Sequence, residues 1–492
     1  MFTDEHRQKV WDQLRQCDLR CFGKLLSADL IDAAAKRAGV RLGRGPLYLV
    51  NMVWLGIASA WHHTRSFPDV LTLTLHLLRD AEGFAQTPFG NEQRRAKRRK
   101  PGKSKQSPRR QDATQVSEEA FVQARKRMPW SFWLALIVLL AEEFESAHSQ
   151  QVRWKGFRLR ALDGTCITLP SRKRLKDYFG IAKGRRCSGR VQARMVMLQC
   201  PLVRMPCCID VSPLKIAECT LAEGLVPQIA RGDLVLMDRG FWSYRLMSQI
   251  IAQGAAFGIR LKRGIVLQTV RRLGEQDRLV RWRPHPATVR RWQRRGHTMP
   301  LPESLELRVI DYQIPGFRPS AVVTNVTDPD RLSREDWVRL TTNEPGRNLQ
   351  PGLYHRRWEI ETTFRELKIS QKMKGNIRSH TPEGVRFELA GHVVLYLLVR
   401  WLMVEAAERT GVDPLRLSFV KAFRELDNIR YALLTATPRH VARVLLPRLL
   451  ARIAQHLVPL QPGRHYSRPH DTQAKHKGGN QYQLPAKLTA KA

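Results

Sequence analysis

The stretch YHRRWEIETTFRELK, residues 354–368, decides how the rest of this sequence is interpreted. At about 100° per residue, its phenolic and charged side chains include five that fall within about 80° of one helix face. These five are Tyr354, Arg357, Glu361, Arg365 and Lys368. Apolar residues form the adjacent stripe, so the pattern predicts a helix over 353–369 that packs on a sheet and turns its polar face to a cleft. A surface helix with an i,i+4 ion pair between Arg357 and Glu361 is the alternative interpretation.

Two aspartates upstream end strand-like runs. Asp163 follows an alternating segment at 157–163, and Asp238 follows a continuous apolar run at 233–237. Open α/β sheets bind ligands beyond the carboxyl ends of their strands, so both carboxylates are candidates for a site there. Taken alone, each aspartate is also consistent with a structural or capping role.

The spacing Y-x2-R-x3-E-x6-K, together with ALDGT around Asp163 and VLMDRGFWS around Asp238, resembles the signature of DDE transposases of the insertion sequence 4 type. The order Asp163, Asp238, Glu361 is that family's order, and the long interval before Glu361 is where the family inserts a β-rich domain. The resemblance spans roughly residues 120–410. It implies an RNase H-like core in which these three carboxylates are the catalytic and metal-binding residues.

Such a site suits phosphodiester chemistry on DNA. Water and, later, a freed 3′-hydroxyl are weak nucleophiles, and two divalent ions about 4 Å apart activate the nucleophile and stabilise the leaving oxygen. Mg²⁺ prefers hard oxygen ligands. The resemblance therefore implies two Mg²⁺ ions, which Mn²⁺ can replace.

The resemblance also assigns roles around these carboxylates. It implies that Tyr354, Arg357 and Lys368 hold DNA phosphates, which suits the forked arginine side chain. Arg365 shares their helix face but lies outside the signature, so it is an additional DNA-binding candidate.

Two tryptophans of the β-rich segment are candidates for stacking a flipped base. Trp282 and Trp292 have the large rings that such stacking needs. Simple packing of either ring is the alternative interpretation.

Composition points to a polyanionic partner. Lys and Arg number 84 against 44 Asp and Glu, which gives a formal net charge of +40. Ten of these basic residues lie within 94–110, a segment that reads as a solvated linker also able to contact phosphates. A membrane is disfavoured, because the longest apolar run is shorter than the roughly 20 residues of a spanning helix and the first residues lack a signal-peptide core. We expect a bacterial cytoplasmic, nucleoid-associated protein. The eight cysteines form no C-x-x-C pair, so a structural zinc site is not expected.

Hydrophobic periodicity and composition divide the chain into seven regions and predict the α/β class. The regions are a helical N-terminal domain at 1–93, a basic linker at 94–116, an α/β region at 117–262, a β-rich segment at 263–340, a further region at 341–410, a helical C-terminal region at 411–460 and a disordered basic tail at 461–492. The resemblance implies that 1–93 is a DNA-binding domain, that 117–262 and 341–410 are the two parts of an RNase H-like core, and that 263–340 is a β-rich insertion between them.

The expected function is that of an insertion-sequence transposase. It would bind terminal inverted repeats in double-stranded DNA, act as a homodimer on DNA, and cleave and join strands by a cut-and-paste mechanism. Two alternatives stay open: an RNase H-like nuclease without strand transfer, and a catalytically inactive, transposase-derived DNA-binding protein. Joining of cut ends to target DNA separates the first alternative, and divalent-metal binding near Glu361 separates the second.

Overall fold

The computed structural model describes residues 25–40, 49–71, 117–182, 189–294, 300–313, 319–338, 352–435 and 440–459. The predicted basic linker at 94–116 and tail at 461–492 lie outside the described residues. Helical spacing of apolar residues also predicts a helix at 66–78, most of which lies outside the described residues. The described elements belong to one compact unit.

Ten strands form one sheet. They are β1 (Arg153–Trp154), β2 (Phe157–Thr168), β3 (Gln192–Cys200), β4 (Met205–Pro213), β5 (Asp233–Met237), β6 (Ala256–Arg260), β7 (Gln268–Gly274), β8 (Asp277–Trp282), β9 (Leu305–Tyr312) and β10 (Ser320–Thr324). Their order is β4-β3-β2-β5-β6-β10-β9-β8-β7, and β1 pairs with β2 outside this path.

The first half of the sheet lies within 117–262, the predicted first part of the core. Strands β2, β3 and β4 pair antiparallel, whereas β5 and β6 run parallel to β2. β5 is buried along its whole length, as its continuous apolar sequence predicts for a central parallel strand. Three antiparallel strands followed by two parallel ones, in this order, make an RNase H-like core, and the predicted fold class is confirmed.

The second half of the sheet is formed by the β-rich segment. β10 pairs antiparallel with β6, and β9, β8 and β7 follow, so this segment extends the core sheet. Short β-like runs in the sequence predict strands at 264–270, 279–283, 305–314 and 320–327, and the four observed strands lie close to them. The segment also contains a helix at Pro286–Arg294, which its mostly polar sequence does not predict.

Thirteen α-helices are found in the described part of the chain. They are α1 (Ala28–Arg37), α2 (Leu49–Trp61), α3 (Glu118–Arg127), α4 (Trp130–Ala147), α5 (Lys173–Phe179), α6 (Glu218–Glu223), α7 (Tyr244–Ala252), α8 (Pro286–Arg294), α9 (Arg334–Val338), α10 (Glu359–Arg365), α11 (Pro382–Thr410), α12 (Phe419–Thr435) and α13 (Leu446–Gln455). The sequence pattern predicts a helix around 216–230, and the observed one is shorter: α6 ends before Gly224, and a 3₁₀ turn at Val226–Gln228 follows.

Helix α11 lies at the centre of the largest hydrophobic core. Its length and composition would suit a membrane-spanning helix, but its apolar window is entirely buried inside the protein, as in a core helix. Helix α2 packs directly on it, because a side chain at Gly391 would overlap the carbonyl oxygen of Gly56. The described helices of region 1–93 therefore share a core with the sheet's helices. The DNA-binding role of that region stays a prediction.

The predicted helix at 353–369 forms as three successive helical types. A 3₁₀ segment at Leu353–Trp358 leads into α10, and a π turn at Glu366–Ser370 follows it. Ile360, Phe364 and Leu367 pack into the core shared with α11, as the predicted apolar stripe requires. The segment thus lies on the sheet face next to the ends of β2 and β5.

Candidate active site

The prediction that Asp163 ends a strand is wrong, because β2 continues past it to Thr168. Asp163 lies within β2 where its parallel pairing with β5 ends, and Asp238 directly follows β5. The register of β2 and β5 pairs Leu162 with Met237, so Asp163 and Asp238 occupy the next position on each strand. Side chains alternate along a strand, and the two in-register aspartates share the face that bears Ala161 and Leu236. The strand order therefore brings the two carboxylates together on neighbouring central strands, as the sequence predicts.

Tyr354 fixes the start of the helical segment to this edge. Its phenolic Oη donates to the carbonyl oxygen of Met237 at 3.1 Å, one residue before Asp238. Burial raises the pKa of Tyr354, so the phenol stays protonated and acts as a donor. In this structure Tyr354 therefore contacts the strand end that carries the second aspartate.

Arg357 joins two of the three carboxylates. Its Nη1 lies 3.4 Å from Asp163 Oδ2, and its Nη2 lies 3.6 Å from Glu361 Oε1. Its side chain is only 4% exposed, and its guanidinium lies 4.6 Å from the ring centroid of Trp358. The i,i+4 pair considered as an alternative does form, but the same guanidinium also reaches the first aspartate across the cleft.

Burial and the neighbouring charges both shift the pKa of the Asp163 carboxyl. Burial is the main cause that raises its pKa to about 6, and the charges of Asp238 and Glu361 add to the rise. Arg357 and the Gly164 N–H, which donates to Asp163 Oδ1 at 2.8 Å, act in the opposite direction. Asp238 and Glu361 are therefore close enough to Asp163 to act on its charge, and the net rise of its pKa comes mainly from burial.

The donor set suits a hard divalent cation. Three carboxylates supply the oxygen ligands that Mg²⁺ prefers, and a bound cation would relieve their mutual repulsion. Over the described ranges, no three His, Cys, Asp or Glu side chains are already arranged as a closed metal-ligand cluster. The guanidinium group of Arg357 lies between the carboxylates of Asp163 and Glu361. The residues thus fit the ion chemically, with an arginine holding the carboxylates.

Lys368 reaches the same edge from the π turn. Its Nζ donates to Thr165 Oγ1, two residues beyond Asp163 on the same face of β2. Burial lowers the pKa of Lys368. The sequence analysis missed Thr165, although its position two residues after an aspartate in an alternating strand could have indicated it.

The remaining candidates lie in different surroundings. Arg365 is exposed on α10. Trp282 is half-buried, with its ring centroid 5.2 Å from that of Trp242 and 4.9 Å from that of Tyr244. Trp292 is 6% exposed, so the faces of its ring are largely covered. Trp242 was not singled out from the sequence, although it lies only four residues after Asp238.

Comparisons with known proteins agree with this geometry. The family described as "Transposase DDE domain" matches residues 154–398, which include strands β2 to β10, all three carboxylates and most of α11. A curated protein of Escherichia coli (strain K12), "Transposase InsG for insertion sequence element IS4", is 27% identical over 368 residues, covering 72% of this chain and 76% of that protein.

One solved structure is also similar in outline. A chain of the piggyBac transposase synaptic complex with hairpin DNA, determined by cryo-EM, aligns over 95% of this chain and 91% of its own length. The TM-score is 0.37 and the sequence identity is 10%. The fold assignment above rests on the strand order alone.

Proposed function

The chain belongs to the DDE transposases of the insertion sequence 4 type, and we propose that it is the cut-and-paste transposase of a bacterial insertion sequence. In this proposal it binds the terminal inverted repeats, cleaves the DNA in a metal-dependent reaction, and transfers the freed strands to a target. The observation that carries the proposal is the bridge from Asp163 through Arg357 to Glu361, next to Asp238 on the adjoining strand.

Asp163, Asp238 and Glu361 would hold two Mg²⁺ ions, for which Mn²⁺ could substitute. Two such ions supply activation of the attacking oxygen and stabilisation of the leaving oxygen. Asp163 belongs to β2, Asp238 follows β5, and Glu361 belongs to α10. The relative positions of the three carboxylates are therefore set by the sheet and by the packing of α10. This rigid support is what a preorganised site requires.

The basic residues of the helical segment would bind and orient the phosphate. Arg357 and Lys368 place positive charge beside the carboxylates, and Arg357 has the fork that matches two phosphate oxygens. Tyr354 would contribute by holding the helix start at the end of β5. Arg365, exposed on the same helix, would extend this contact along the DNA backbone.

The partner in this proposal is double-stranded DNA, both as transposon end and as target. The formal charge of +40 supports phosphate binding along a long surface. Pairing of two transposon ends would need two copies of the chain, so we propose a homodimer on DNA. Region 1–93 would read the repeats, and Trp282, the more accessible of the two tryptophans, would be the stronger candidate for stacking a flipped base. The reaction would take place in the bacterial cytoplasm, at the nucleoid.

The experiment uses the full chain and a supercoiled plasmid that carries the terminal repeats flanking its gene. With Mg²⁺ and a target plasmid, we expect cuts at the repeat ends and joined products. Asp163→Ala should abolish cleavage and leave DNA binding intact. Asp336→Ala, which removes a carboxylate paired with Lys155 away from the strand ends, is the control and should cleave normally.

Three outcomes would contradict the proposal. Cleavage that persists in Asp163→Ala would remove the aspartate from the reaction. Cleavage without joined products would favour the nuclease alternative. Absence of divalent-metal binding near Glu361, with DNA binding retained, would favour an inactive DNA-binding protein.

A further inference from the structure

A buried carboxylate lies on the opposite side of the π turn from the candidate site. Glu366 is 7% exposed and faces α11, whereas Lys368, two residues later, faces β2. Glu366 Oε2 accepts hydrogen bonds from Tyr396 Oη at 2.6 Å and from Arg400 Nη2 at 2.5 Å. Arg400 is fully buried and its Nε also donates to Tyr396 Oη at 3.0 Å. One helical turn is thereby tied to the central helix of the core.

A second arginine ties the same segment to the sheet. Arg204, in the connection between β3 and β4, donates from Nε to Glu359 Oε2 at 2.7 Å and from Nη1 to Glu366 Oε1 at 3.2 Å. Its φ of 52° is in the left-handed region, which is costly for a residue with a side chain. Arg204 thus pairs with one glutamate that precedes Glu361 in the sequence, Glu359, and with one that follows it, Glu366.

The resulting group, which we name the support cluster, consists of Glu359, Glu366, Arg204, Arg400 and Tyr396. Its two carboxylates and two guanidinium groups balance in charge, as a buried cluster needs. Burial by itself would raise the pKa of Glu366, but the charges of Arg400 and Arg204 and the Tyr396 hydrogen bond lower that pKa overall. Glu366 is therefore ionised and paired.

Backbone bonds around the turn connect the support cluster to Lys368. The Gln371 N–H donates to the Glu366 carbonyl at 2.8 Å, and the Lys374 N–H donates to the Lys368 carbonyl at 3.0 Å. The buried Gln371 side chain donates to the His392 carbonyl on α11 at 2.9 Å. A π turn is wider than an α-helical turn, so it changes the direction of Lys368 relative to Glu361. Contacts on α11 thus determine where Lys368 lies on β2.

We propose that Glu366, Arg204 and Arg400 are positioning residues. Their buried ion cluster fixes the Glu366–Ser370 turn and thereby holds Lys368 and Glu361 beside Asp163 and Asp238. The inference rests on the proposed function for its effect on cleavage. Its structural part, that the cluster fixes the turn, is independent of activity.

The test compares Glu366→Gln with Glu145→Gln in the full chain. Glu145 is a matched control: a buried carboxylate on α4 that also pairs with two arginines, Arg158 and Arg160, but at the other end of β2. We expect hydrogen exchange in the segment 366–374 to become faster in Glu366→Gln and to stay as in the wild type in Glu145→Gln.

Cleavage under single-turnover conditions gives the second readout. With saturating DNA and Mg²⁺, Glu366→Gln should cleave at least about tenfold more slowly, since a displacement of about 1 Å in a positioned group costs up to about 100-fold. The dissociation constant for DNA should change by less than about threefold, because exposed basic residues dominate non-specific DNA affinity. Arg400→Lys keeps the buried charge and should recover part of the rate that Arg400→Met loses.

The outcomes separate the claims. Unchanged exchange at 366–374 in Glu366→Gln would overturn the inference. Faster exchange with a wild-type cleavage rate, or an equal rate loss in Glu145→Gln, would overturn the positioning role. A wild-type chain that does not cleave at all would overturn the proposed function, and the exchange data would still decide whether the support cluster fixes the turn.

Discussion

Strands β2 and β5 carry a charged cluster at each end of the segment in which they pair, and the amino-terminal cluster is balanced. There Arg158 donates to Asp233 at 2.5 Å and lies 3.2 Å from Glu145, and Arg160 also pairs with Glu145. Two arginines meet two carboxylates, and Asp233 is completely buried. Nothing in this cluster calls for a further ion.

The carboxyl-terminal cluster on the same strands is unbalanced. Arg357 bridges Asp163 and Glu361, Asp238 lies beside them after the neighbouring strand, and Glu361 is 40% exposed. Burial raises the pKa of Asp163, and the charges of Asp238 and Glu361 add to the rise. The comparison teaches that composition alone does not distinguish the two ends: a closed, neutral cluster stabilises the fold, whereas an open one with excess negative charge is prepared for a cation.

The largest expected effect is a loss of cleavage rate when the carboxyl-terminal cluster is changed. Glu361→Gln should slow cleavage at least about 1000-fold, which corresponds to about 4 kcal/mol, because it removes a metal-binding carboxylate. Glu142→Gln, which changes an exposed glutamate paired with Arg37, is the control and should leave the rate unchanged. A loss of less than about tenfold in Glu361→Gln, on the same scale, would contradict the comparison.

The next effect concerns stability at the balanced end. Asp233→Asn should lower the free energy of unfolding by about 3–5 kcal/mol, because it leaves buried arginines without a partner. Urea unfolding of the full chain measures this change. A loss below about 1 kcal/mol would mean that the cluster does not stabilise the fold in the way its geometry indicates.

The corresponding substitution in the carboxyl-terminal cluster should raise the free energy of unfolding instead of lowering it. The folded pKa of Asp163, about 6, is above its ordinary value of 3.8, so the ionised carboxylate lowers stability at neutral pH. Asp163→Asn removes this cost, and without divalent ions it should raise the free energy of unfolding by about 1 kcal/mol at pH 7. The gain should shrink as the pH falls from about 6 towards 4, where the folded carboxyl is already protonated. A destabilised variant at pH 7 would be inconsistent with this explanation.

The smallest effect concerns phosphate binding at the unbalanced end. Lys368→Gln should make the log–log salt dependence of DNA binding shallower by about 0.9, the change expected for one lost phosphate contact. Lys155→Gln, at the amino end of β2 and paired with Asp336, should leave the slope unchanged. Equal slopes for the two variants would place Lys368 outside the DNA contact.

Much of the site could be predicted from the sequence because its signals are local. Alternation placed Asp163 on a strand, although that strand continues past it to Thr168. A continuous apolar run placed Asp238 at the end of another strand, and helical spacing put Tyr354, Arg357 and Glu361 on one face. What spacing could not show was the direction of each contact. Arg357 is buried against Asp163, and Tyr354 donates to a strand carbonyl, since both depend on how the helix packs on the sheet.

The β-rich segment shows the same limit. Its four strands could be predicted from short β-like runs, but their continuation of the core sheet through β10 and β6 depends on pairing between distant residues. Helix α8 was missed because it spans only nine residues, most of them polar, although its few apolar residues lie on one face.

The sequence by itself determined the α/β class, the order of the three carboxylates and the helix that carries Glu361, because strand alternation, helical periodicity and the Y-R-E-K spacing are properties of neighbouring residues. The tertiary structure alone decided which charged groups meet. Glu366, Arg204 and Arg400 are far apart in the chain, and nothing in their local sequence distinguishes them from the 128 charged residues, 84 basic and 44 acidic, as a whole. Only packing of the π turn against α11 brings them together, because burial of an ionised carboxylate requires partners that the fold must deliver.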